Sequence, residues 1–246
     1  MFPASVVQFF AGQQELLWIT TLLLDLAFTL FLYRKFGTAG LQVAIATAIV
    51  LANLQGPKLT QIFGLETSLG VIFYSSIFFA TDILSENYGR KKANEAVMLG
   101  FVVSIIVLVM MSIGVMFAPS TSPKNAAFAS EVHGAFQTLV NFSPRFVLGS
   151  LFAYLVSQRL DVFVFHTIKQ RTNGRWLWLR NNASTMTAQL VDSLLFSLVV
   201  WWGVVDLQTA IMLGVAKYGF KLAIAAIDTP FLYLARHWRN RGLVPD

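Results

Sequence analysis

The stretch Thr81-Asp82-Ile83-Leu84-Ser85-Glu86-Asn87-Tyr88-Gly89-Arg90-Lys91-Lys92-Ala93 closes an apolar run with two acids and then turns to three consecutive bases. Bases concentrate in the cytoplasmic loops of membrane proteins, so this order predicts a membrane-spanning helix that ends at the cytoplasmic surface. Asp82 and Glu86 are four positions apart and would share one face of that helix. Carboxylates at this depth are costly, and they indicate a functional or ion-paired position.

The composition of the chain is typical of an integral membrane protein. Hydrophobic residues make up 56% of the chain and charged residues 12%, with a mean hydropathy of +0.65, whereas soluble domains carry about 25% charged residues. The net charge of +6 comes from bases in short clusters between apolar runs, so we do not expect direct nucleic-acid binding. The absence of cysteine excludes disulfides, thiolate metal sites and cysteine nucleophiles.

Seven apolar segments follow one another along the chain, each close to the roughly 20 residues that cross a bilayer as a helix. We expect membrane spans at residues 16–33, 38–55, 68–84, 96–118, 146–164, 186–203 and 207–234. The first segment carries Asp25 at its middle and is followed by Arg34 and Lys35 instead of a small-residue cleavage site. We therefore interpret it as a retained helix and not as a signal peptide.

The loops between these segments alternate between rich and poor in bases. The basic loops contain Arg34, Lys35, Arg90, Lys91, Lys92, Lys169, Arg171, Arg175, Arg180, Arg236, Arg239 and Arg241. The intervening loops hold only Lys58, Lys124 and Arg145. By the positive-inside rule, this alternation predicts an all-α, multi-pass protein of the cytoplasmic (inner) membrane, with the N-terminus outside and the C-terminus cytoplasmic. An apolar patch at residues 128–142 predicts a short interfacial helix in the long outer loop.

No motif of a soluble catalytic domain is present. The sequence lacks a Gly-x-x-x-x-Gly-Lys phosphate loop, a His-Glu-x-x-His pair and a Gly-x-Ser-x-Gly elbow. His133, His166 and His237 lie in different loops or at span ends, so a metal centre is not expected. We predict one non-enzymatic membrane domain over residues 1–246, without a cofactor.

Charged residues inside the predicted spans are the first candidates for function, because each costs roughly 2.5–3.5 kcal/mol at a helix centre unless it finds a partner or water. At 1.5 Å per residue, one group falls near the midplane and a second toward the cytoplasmic side. The midplane group is Asp25, Asp192, Lys217 and Lys221, and the cytoplasmic group is Asp82, Glu86, Arg159, Asp161 and Asp228.

Two of the predicted spans carry polar stripes at helical spacing. The stripes are Thr185, Gln189, Asp192 and Phe196 in the sixth span, and Lys217, Lys221, Ile224 and Asp228 in the seventh. We interpret the two stripes as the walls of a cavity. The alternative is that these charges are structural ion pairs, with Asp192 on Lys217 or Lys221 and Arg159 on Asp161 or Asp228.

Three motifs together resemble the queuosine precursor transporter family. They are Phe79-Ala80-Thr81-Asp82-Ile83-Leu84-Ser85-Glu86-Asn87-Tyr88-Gly89 with Ala93, Trp178-Leu179-Arg180-Asn181-Asn182-Ala183-Ser184-Thr185 leading to Gln189 and Asp192, and Lys221 followed by Ala226-Ile227-Asp228-Thr229-Pro230-Phe231. Asn53 adds a weaker match. Members of that family are inner-membrane importers that salvage 7-deazaguanine bases for tRNA modification.

The resemblance covers about residues 41–237. It implies a six-helix core similar to the substrate-binding subunits of energy-coupling-factor vitamin transporters, to which residues 16–33 add an N-terminal helix. Asp82, Glu86, Arg180, Gln189, Asp192, Lys221 and Asp228 map onto the motifs. Lys217 and Asp25 rest on the estimated depth alone.

The implied substrate also suggests roles for these residues. A deazaguanine presents a ring N–H beside an exocyclic amine, and a carboxylate can accept both. We expect Asp192 in that role, with Asp82 as the alternative. Gln189 or Asn53 would bind the remaining edge, and Lys221 or Lys217 would meet the carbonyl oxygen or keep the carboxylate ionised. The candidates for aromatic stacking are Tyr74, Phe78, Phe79, Phe196, Trp201 and Tyr218.

The sequence is compatible with more than one energy source for transport and with more than one kind of partner. A solitary transporter would use facilitated diffusion, or proton coupling through Asp82, Glu86, Asp192 or Asp228. A subunit of an energy-coupling module, or a homodimer, would need a docking face, and Ala44, Ala48 and Ala52 supply small residues at every fourth position. The remaining alternative is a membrane enzyme or assembly protein whose buried ion pairs are structural.

Overall fold

Eight α-helices and one β-hairpin form the part of the chain described by the computed structural model, which is residues 3–56, 58–140, 144–201 and 206–245. Side chains at 66, 144–148, 200–201, 209–210 and 212–217 are outside the description. The helices are α1 (Ala4–Ala11), α2 (Gln14–Gln55), α3 (Gly70–Asn87), α4 (Gly89–Met116), α5 (Ala126–Val140), α6 (Pro144–Arg171), α7 (Leu177–Trp201) and α8 (Leu207–Asn240). The strands are β1 (Leu59–Ile62) and β2 (Leu65–Ser68).

Helix α2 contains the first two predicted spans as two arms joined at Gly37. Its 42 residues would extend about 63 Å if they were straight, twice the thickness of a hydrocarbon core. Gly37 has φ 57° and ψ −131°, which breaks the helix and favours glycine because it has no Cβ. A Cβ at nearby Gly40 would overlap the backbone carbonyl of Leu32. The corner therefore depends on two glycines that separate the predicted spans.

Among the described residues, two helices are long and apolar enough to cross a membrane by length and composition, namely α2 (Gln14–Gln55) and α4 (Gly89–Met116). They contain the predicted spans at 16–33, 38–55 and 96–118. The predicted spans at 68–84, 146–164, 186–203 and 207–234 overlap α3, α6, α7 and α8 in sequence. With tyrosine counted as polar, these four helices carry a larger share of polar residues than α2 and α4. Many of these polar residues are buried between the helices.

The hairpin between α2 and α3 is a departure from the predicted all-α fold. Strands β1 and β2 pair antiparallel, with Leu59 opposite Ser68 and Ile62 opposite Leu65. The turn between them places Phe63 at φ 52° and Gly64 at φ 75°, the two positive φ values that a tight hairpin turn requires. The sequence predicts a loop at this place because four-residue strands give a weak periodic signal.

Helix α3 is the centre of the packing, with contacts to α2, α4, α6 and α8. Fifteen of its residues, among them all of 75–85, are buried. A helix that is buried all round has no polar face toward solvent, so its polar residues must find partners inside the protein. Asp82 and Glu86 both belong to α3 and therefore enter the interior, as the opening motif predicts.

Several helices continue beyond the predicted spans at the end where the basic residues cluster. Helix α6 runs to Arg171, α7 begins at Leu177, and α8 runs to Asn240. Hydropathy marks only the length that crosses hydrocarbon, whereas a helix continues wherever its neighbours support it. This extension places the Arg180 motif within a helix. The predicted short helix in the outer loop is also present, as α5.

The row of small residues on α2 is buried within the chain and does not form a free docking face. Ala44 is 7% exposed and Ala48 is 4% exposed, and Ala52 packs against the same core cluster. Small residues at such positions allow neighbouring membrane helices to approach closely. The interpretation of this row as a surface for a partner subunit stays a prediction, because Ala44 and Ala48 are already used in the packing of the chain itself.

Candidate functional site

A cavity of about 230 Å³ lies among α2, α3, α4, α6, α7 and α8. Most of its lining is aliphatic, as is usual for small-molecule sites, with a few polar groups that converge on it. The polar and aromatic residues of the lining are Asn53, Ser68, Tyr74, Ser104, Ser150, Tyr154, Asp192, Ser193, Phe196 and Lys221. Its volume is below the roughly 300–1,000 Å³ of drug-sized pockets, which suits a small ligand.

Asp192 on α7 is the point where four helices meet through polar contacts. Its Oδ1 accepts hydrogen bonds from Tyr74 Oη on α3 at 2.6 Å and from Ser157 Oγ on α6 at 3.1 Å. Its Oδ2 lies 2.5 Å from Lys221 Nζ on α8. A carboxylate has about four acceptor positions, so these three bonds leave roughly one for a ligand.

Lys221 provides the cation of this site. Its side chain is 5% exposed, and Nζ lies 5.0 Å from the centroid of the Tyr74 ring, within the range of a cation–π contact. The ion pair presents a donor and an acceptor side by side at the cavity. Of the two lysines predicted to meet Asp192, the structure pairs Lys221. The side chain of Lys217 lies outside the described residues.

Two tyrosines shape the aromatic wall of the cavity. Tyr74 and Tyr154 meet edge to face, with ring centroids 6.4 Å apart. The Tyr154 hydroxyl donates to the backbone oxygen of Val97 on α4 at 3.2 Å. Gly100 makes room for it, because a Cβ there would overlap that hydroxyl. Tyr154 thus ties α6 to α4, whereas Tyr74 reaches the charged pair.

A second group of acids lies along the same helices beyond Asp192. We call Asp82 on α3, Asp161 on α6 and Asp228 on α8 the acid cluster, because all three are buried on helices that pack together, with α3 in contact with both α6 and α8. Thr185 Oγ1 donates to Asp82 Oδ2 at 3.1 Å, and Asn181 Nδ2 donates to Asp228 Oδ1 at 3.1 Å. All three carboxylates are buried.

Several buried polar atoms at and between these acids have no hydrogen-bond partner among the described residues. They are Asp82 Oδ1, both carboxylate oxygens of Asp161, both amide atoms of Gln158, Asn181 Oδ1 and Gln189 Oε1. Unpartnered buried groups are rare, since each costs about 1–3 kcal/mol of desolvation. Such a concentration in one region is therefore unusual for a purely structural interior.

Glu86, the second acid of the opening motif, belongs to a different structure. Its carboxylate accepts two hydrogen bonds from Arg180, at 2.7 Å from Nη2 and 3.1 Å from Nε. Lys169 Nζ lies 3.0 Å away and Arg236 Nε 3.3 Å away. Arg180 is fully buried and also donates to the backbone oxygens of Gly174 and Arg175. We call these four charged residues the ion cluster.

The structure brings together some of the predicted site residues and separates others. Asn53, Asp192 and Lys221 line the cavity. Gln189, Asp82 and Asp228 are buried but stand outside its lining, and Glu86 is in the ion cluster. Phe79 packs in the core against Phe231, and Tyr218 is half-buried and away from the lining. The side chain of Trp201 lies outside the described residues.

The predicted pairing of Arg159 with Asp161 or Asp228 is wrong. Arg159 is exposed, whereas Asp161 is fully buried. Two positions along a helix correspond to nearly opposite faces, so neighbours in sequence point apart. Asp25, for which the sequence suggests no role, accepts a hydrogen bond from Ser76 Oγ on α3. It therefore joins the first arm of α2 to the central helix.

Sequence reasoning missed Tyr154, Ser157 and Gln158 on α6. Their positions relative to Asp161 offer a signal, because Ser157 and Gln158 precede it by four and three residues and so share its face. Neutral polar residues carry little weight in a search for charges within apolar spans. Asn181, quoted within the second motif without a role, is the residue that holds Asp228. Among the described residues, no group of three or more His, Cys, Asp or Glu could hold a metal ion.

Comparison with known proteins gives concordant matches. The family model described as "Putative vitamin uptake transporter" matches residues 68–235. The chain is 37% identical over 220 residues to the "Probable queuosine precursor transporter" of Bacillus subtilis strain 168, covering 89% of this chain and 93% of the relative.

Two further relatives are more distant. The chain is 26% identical to the "Queuosine precursor transporter" of Escherichia coli K12, over 68% of this chain and 71% of that protein. It is 29% identical to the "Probable queuosine precursor transporter" of Haemophilus influenzae, over 67% and 66%. No solved structure matches the chain.

Proposed function

The chain belongs to the queuosine precursor transporter family, and we propose that it imports queuosine precursors across the cytoplasmic membrane for tRNA queuosine salvage. These substrates are 7-deazaguanine bases such as queuine and its cyano and aminomethyl precursors. The observation that carries the proposal is the Asp192–Lys221 pair at the wall of a small cavity. It is the charged group of the cavity lining.

The ion pair is chemically complementary to the polar edge of such a base. A deazaguanine places a carbonyl oxygen next to a ring N–H, and the pair places the Lys221 ammonium next to the Asp192 carboxylate. The ammonium would donate to the carbonyl oxygen, and Asp192 Oδ2 would accept from the ring N–H. Because Asp192 Oδ1 is occupied by Tyr74 and Ser157, acceptance of a second base donor requires one of those hydroxyls to leave.

The aromatic residues of the lining support the same class of ligand. Tyr74, Tyr154 and Phe196 provide flat apolar surfaces, and a planar base gains about 1–3 kcal/mol from each favourable stack. Asn53 also lines the cavity, and its side-chain amide can both donate and accept hydrogen bonds. We expect it to bind the edge of the base that the ion pair leaves free.

We infer that the helices cross the membrane seven times, with the two arms of α2 counted separately and α3, α4, α6, α7 and α8 adding five. The N-terminus is then outside and the C-terminus cytoplasmic. The distribution of bases supports this orientation, since Arg34, Lys91, Lys169 and Arg239 all fall on the same side. Likeness to the core of energy-coupling-factor subunits is part of the proposal and rests on the family resemblance.

We propose that the chain transports without an energy-coupling partner. The small residues that could form a docking face, Ala44 and Ala48, are buried against the chain's own core. Uptake by the purified protein in liposomes tests this point. A requirement for co-purified ATPase subunits would contradict it.

The import activity is tested in cells that neither make the base nor contain a queuosine precursor transporter. Expression of this chain should restore uptake of labelled queuine and the appearance of queuosine in tRNA. Asp192→Asn should abolish both at equal membrane abundance, whereas Glu95→Gln, at an exposed pair with Lys92, should not. Unchanged uptake on expression of the inserted wild-type protein would refute the proposal.

A further inference from the structure

The buried acids of this protein fall into two electrostatic classes. Asp192 faces Lys221, and Glu86 faces Arg180, Lys169 and Arg236, so both are neutralised by cations. Asp82, Asp161 and Asp228 have no cationic partner among the described residues. We propose, on the basis of the import function above, that this acid cluster is a proton-binding site through which inward proton flow drives accumulation of the base.

The described side chains that bond the acid cluster are neutral. Helices α3, α6 and α8 contribute the three carboxylates themselves, and α7 contributes Asn181 and Thr185, which donate hydrogen bonds to Asp228 and Asp82. Lys221 is paired with Asp192, and the three bases of the ion cluster are paired with Glu86. Lys217 precedes Asp228 by about three helical turns on α8. Within the described residues, then, no side-chain cation neutralises the cluster.

Burial makes a bound proton the simplest source of that neutralisation. Asp82 and Asp161 are fully buried and Asp228 is 2% exposed. An isolated ionised carboxylate is so costly in an apolar interior that it takes up a proton instead. Neighbouring carboxyl groups in such a place share protons as a unit, and do not titrate one by one.

An independent observation points to a ligand with hydrogen-bond donors at the same place. Asn181 is fully buried and donates its amide N–H to Asp228, yet its own oxygen has no donor within the described residues. Gln158, one helical turn before Asp161 on α6, has both amide atoms unpartnered. A carboxyl that carries a proton supplies an O–H donor, which the ionised cluster lacks.

The position of the acid cluster suits a coupling role. On α7, Thr185 bonds Asp82, Gln189 follows one turn later, and Asp192 follows at the cavity. The Gln189 oxygen is buried without a described partner between the two sites. Protons can therefore approach the cluster from the cavity side along one helix face, and the ion cluster of Glu86 stands beyond it.

The experiment uses the purified full chain in proteoliposomes with labelled queuine, in four measurements. Exchange of queuine at equal concentration on both sides reports transport without a driving force. Net accumulation under an inward proton gradient reports coupling, and a pH-sensitive dye inside the vesicles reports proton entry on queuine addition. A sodium gradient at constant pH is the fourth arm. Asp161→Asn is the test variant, and Glu95→Gln, an exposed acid-to-amide change, is the matched control.

We expect the wild type and Glu95→Gln to accumulate queuine at least tenfold under the proton gradient and to acidify the vesicles. Asp161→Asn should retain exchange while its accumulation falls to the level without a gradient. Wild-type exchange without gradient-driven accumulation, or accumulation driven by sodium alone, overturns proton coupling and leaves the import function intact. A complete absence of wild-type exchange overturns the import function itself. The dye signal from the wild type decides whether transport is proton-coupled, and gradient-driven accumulation by Asp161→Asn at the wild-type level overturns the assignment to the acid cluster. If Asp161→Asn does not fold, Asp228→Asn takes its place in the same measurements.

Discussion

The ammonium of Lys221 lies 2.5 Å from Oδ2 of Asp192, and both side chains are almost entirely buried at the cavity wall. Removal of one partner leaves a buried charge without compensation, which costs about 3–5 kcal/mol. We therefore expect Lys221→Gln and Asp192→Asn each to lower the unfolding temperature in detergent and to abolish queuine uptake.

A double variant separates structure from binding at this pair. Asp192→Asn with Lys221→Gln removes both charges, so stability should recover toward wild type while uptake remains lost, because the amides no longer provide the charged donor and acceptor. Thermal unfolding and uptake are measured on the same preparations. Recovery of uptake together with stability would show that the pair is structural.

The Tyr74 hydroxyl should contribute to the site through its bond to Asp192. Tyr74→Phe keeps the ring and removes a bond to a charged group, and we expect a rise in the KM for queuine of about tenfold, equivalent to about 1.5 kcal/mol. Tyr154→Phe is the matched control, because that hydroxyl bonds a backbone oxygen. Equal effects of the two variants on KM would contradict the role of Tyr74.

Space for Tyr154 depends on the absence of a side chain at position 100. In Gly100→Ala the new methyl group would overlap the Tyr154 hydroxyl and lie 3.0 Å from Ile49 Cδ1. Overpacking of this kind costs about 1–3 kcal/mol, and displacement of Tyr154 toward the cavity should also reduce uptake. Gly134→Ala, where a Cβ meets nothing within 4 Å, is the control. Equal stability of the two variants would contradict the tight packing.

We expect the buried ion cluster to contribute more to the free energy of unfolding than an exposed ion pair does. Glu86→Gln leaves the fully buried Arg180 without its carboxylate, and we expect a loss of about 3–5 kcal/mol in unfolding free energy. Glu95→Gln breaks an exposed pair with Lys92, where the loss should stay below about 1 kcal/mol. Similar denaturation midpoints for the two variants would show that Arg180 finds another partner.

Much of the fold follows from local patterns. The apolar runs separate at Gly37, the basic stretches end the helices, and the stripe of Thr185, Gln189 and Asp192 is buried along one face of α7 as predicted. These features depend on the helical repeat and on transfer of side chains from water, both of which act within one segment. The hairpin was missed because its short strands carry little periodicity.

The sequence by itself determined the membrane class, the family motifs and the positions of buried acids, because apolar length and helical spacing are properties of single segments. Only the tertiary structure decided which acids are neutralised. Glu86 meets Arg180 and Asp192 meets Lys221, whereas Asp161 is left without a described cation although Arg159 is two residues away. Neighbours in sequence can point apart on a helix, and pairing energies depend on distances between helices that no single segment specifies.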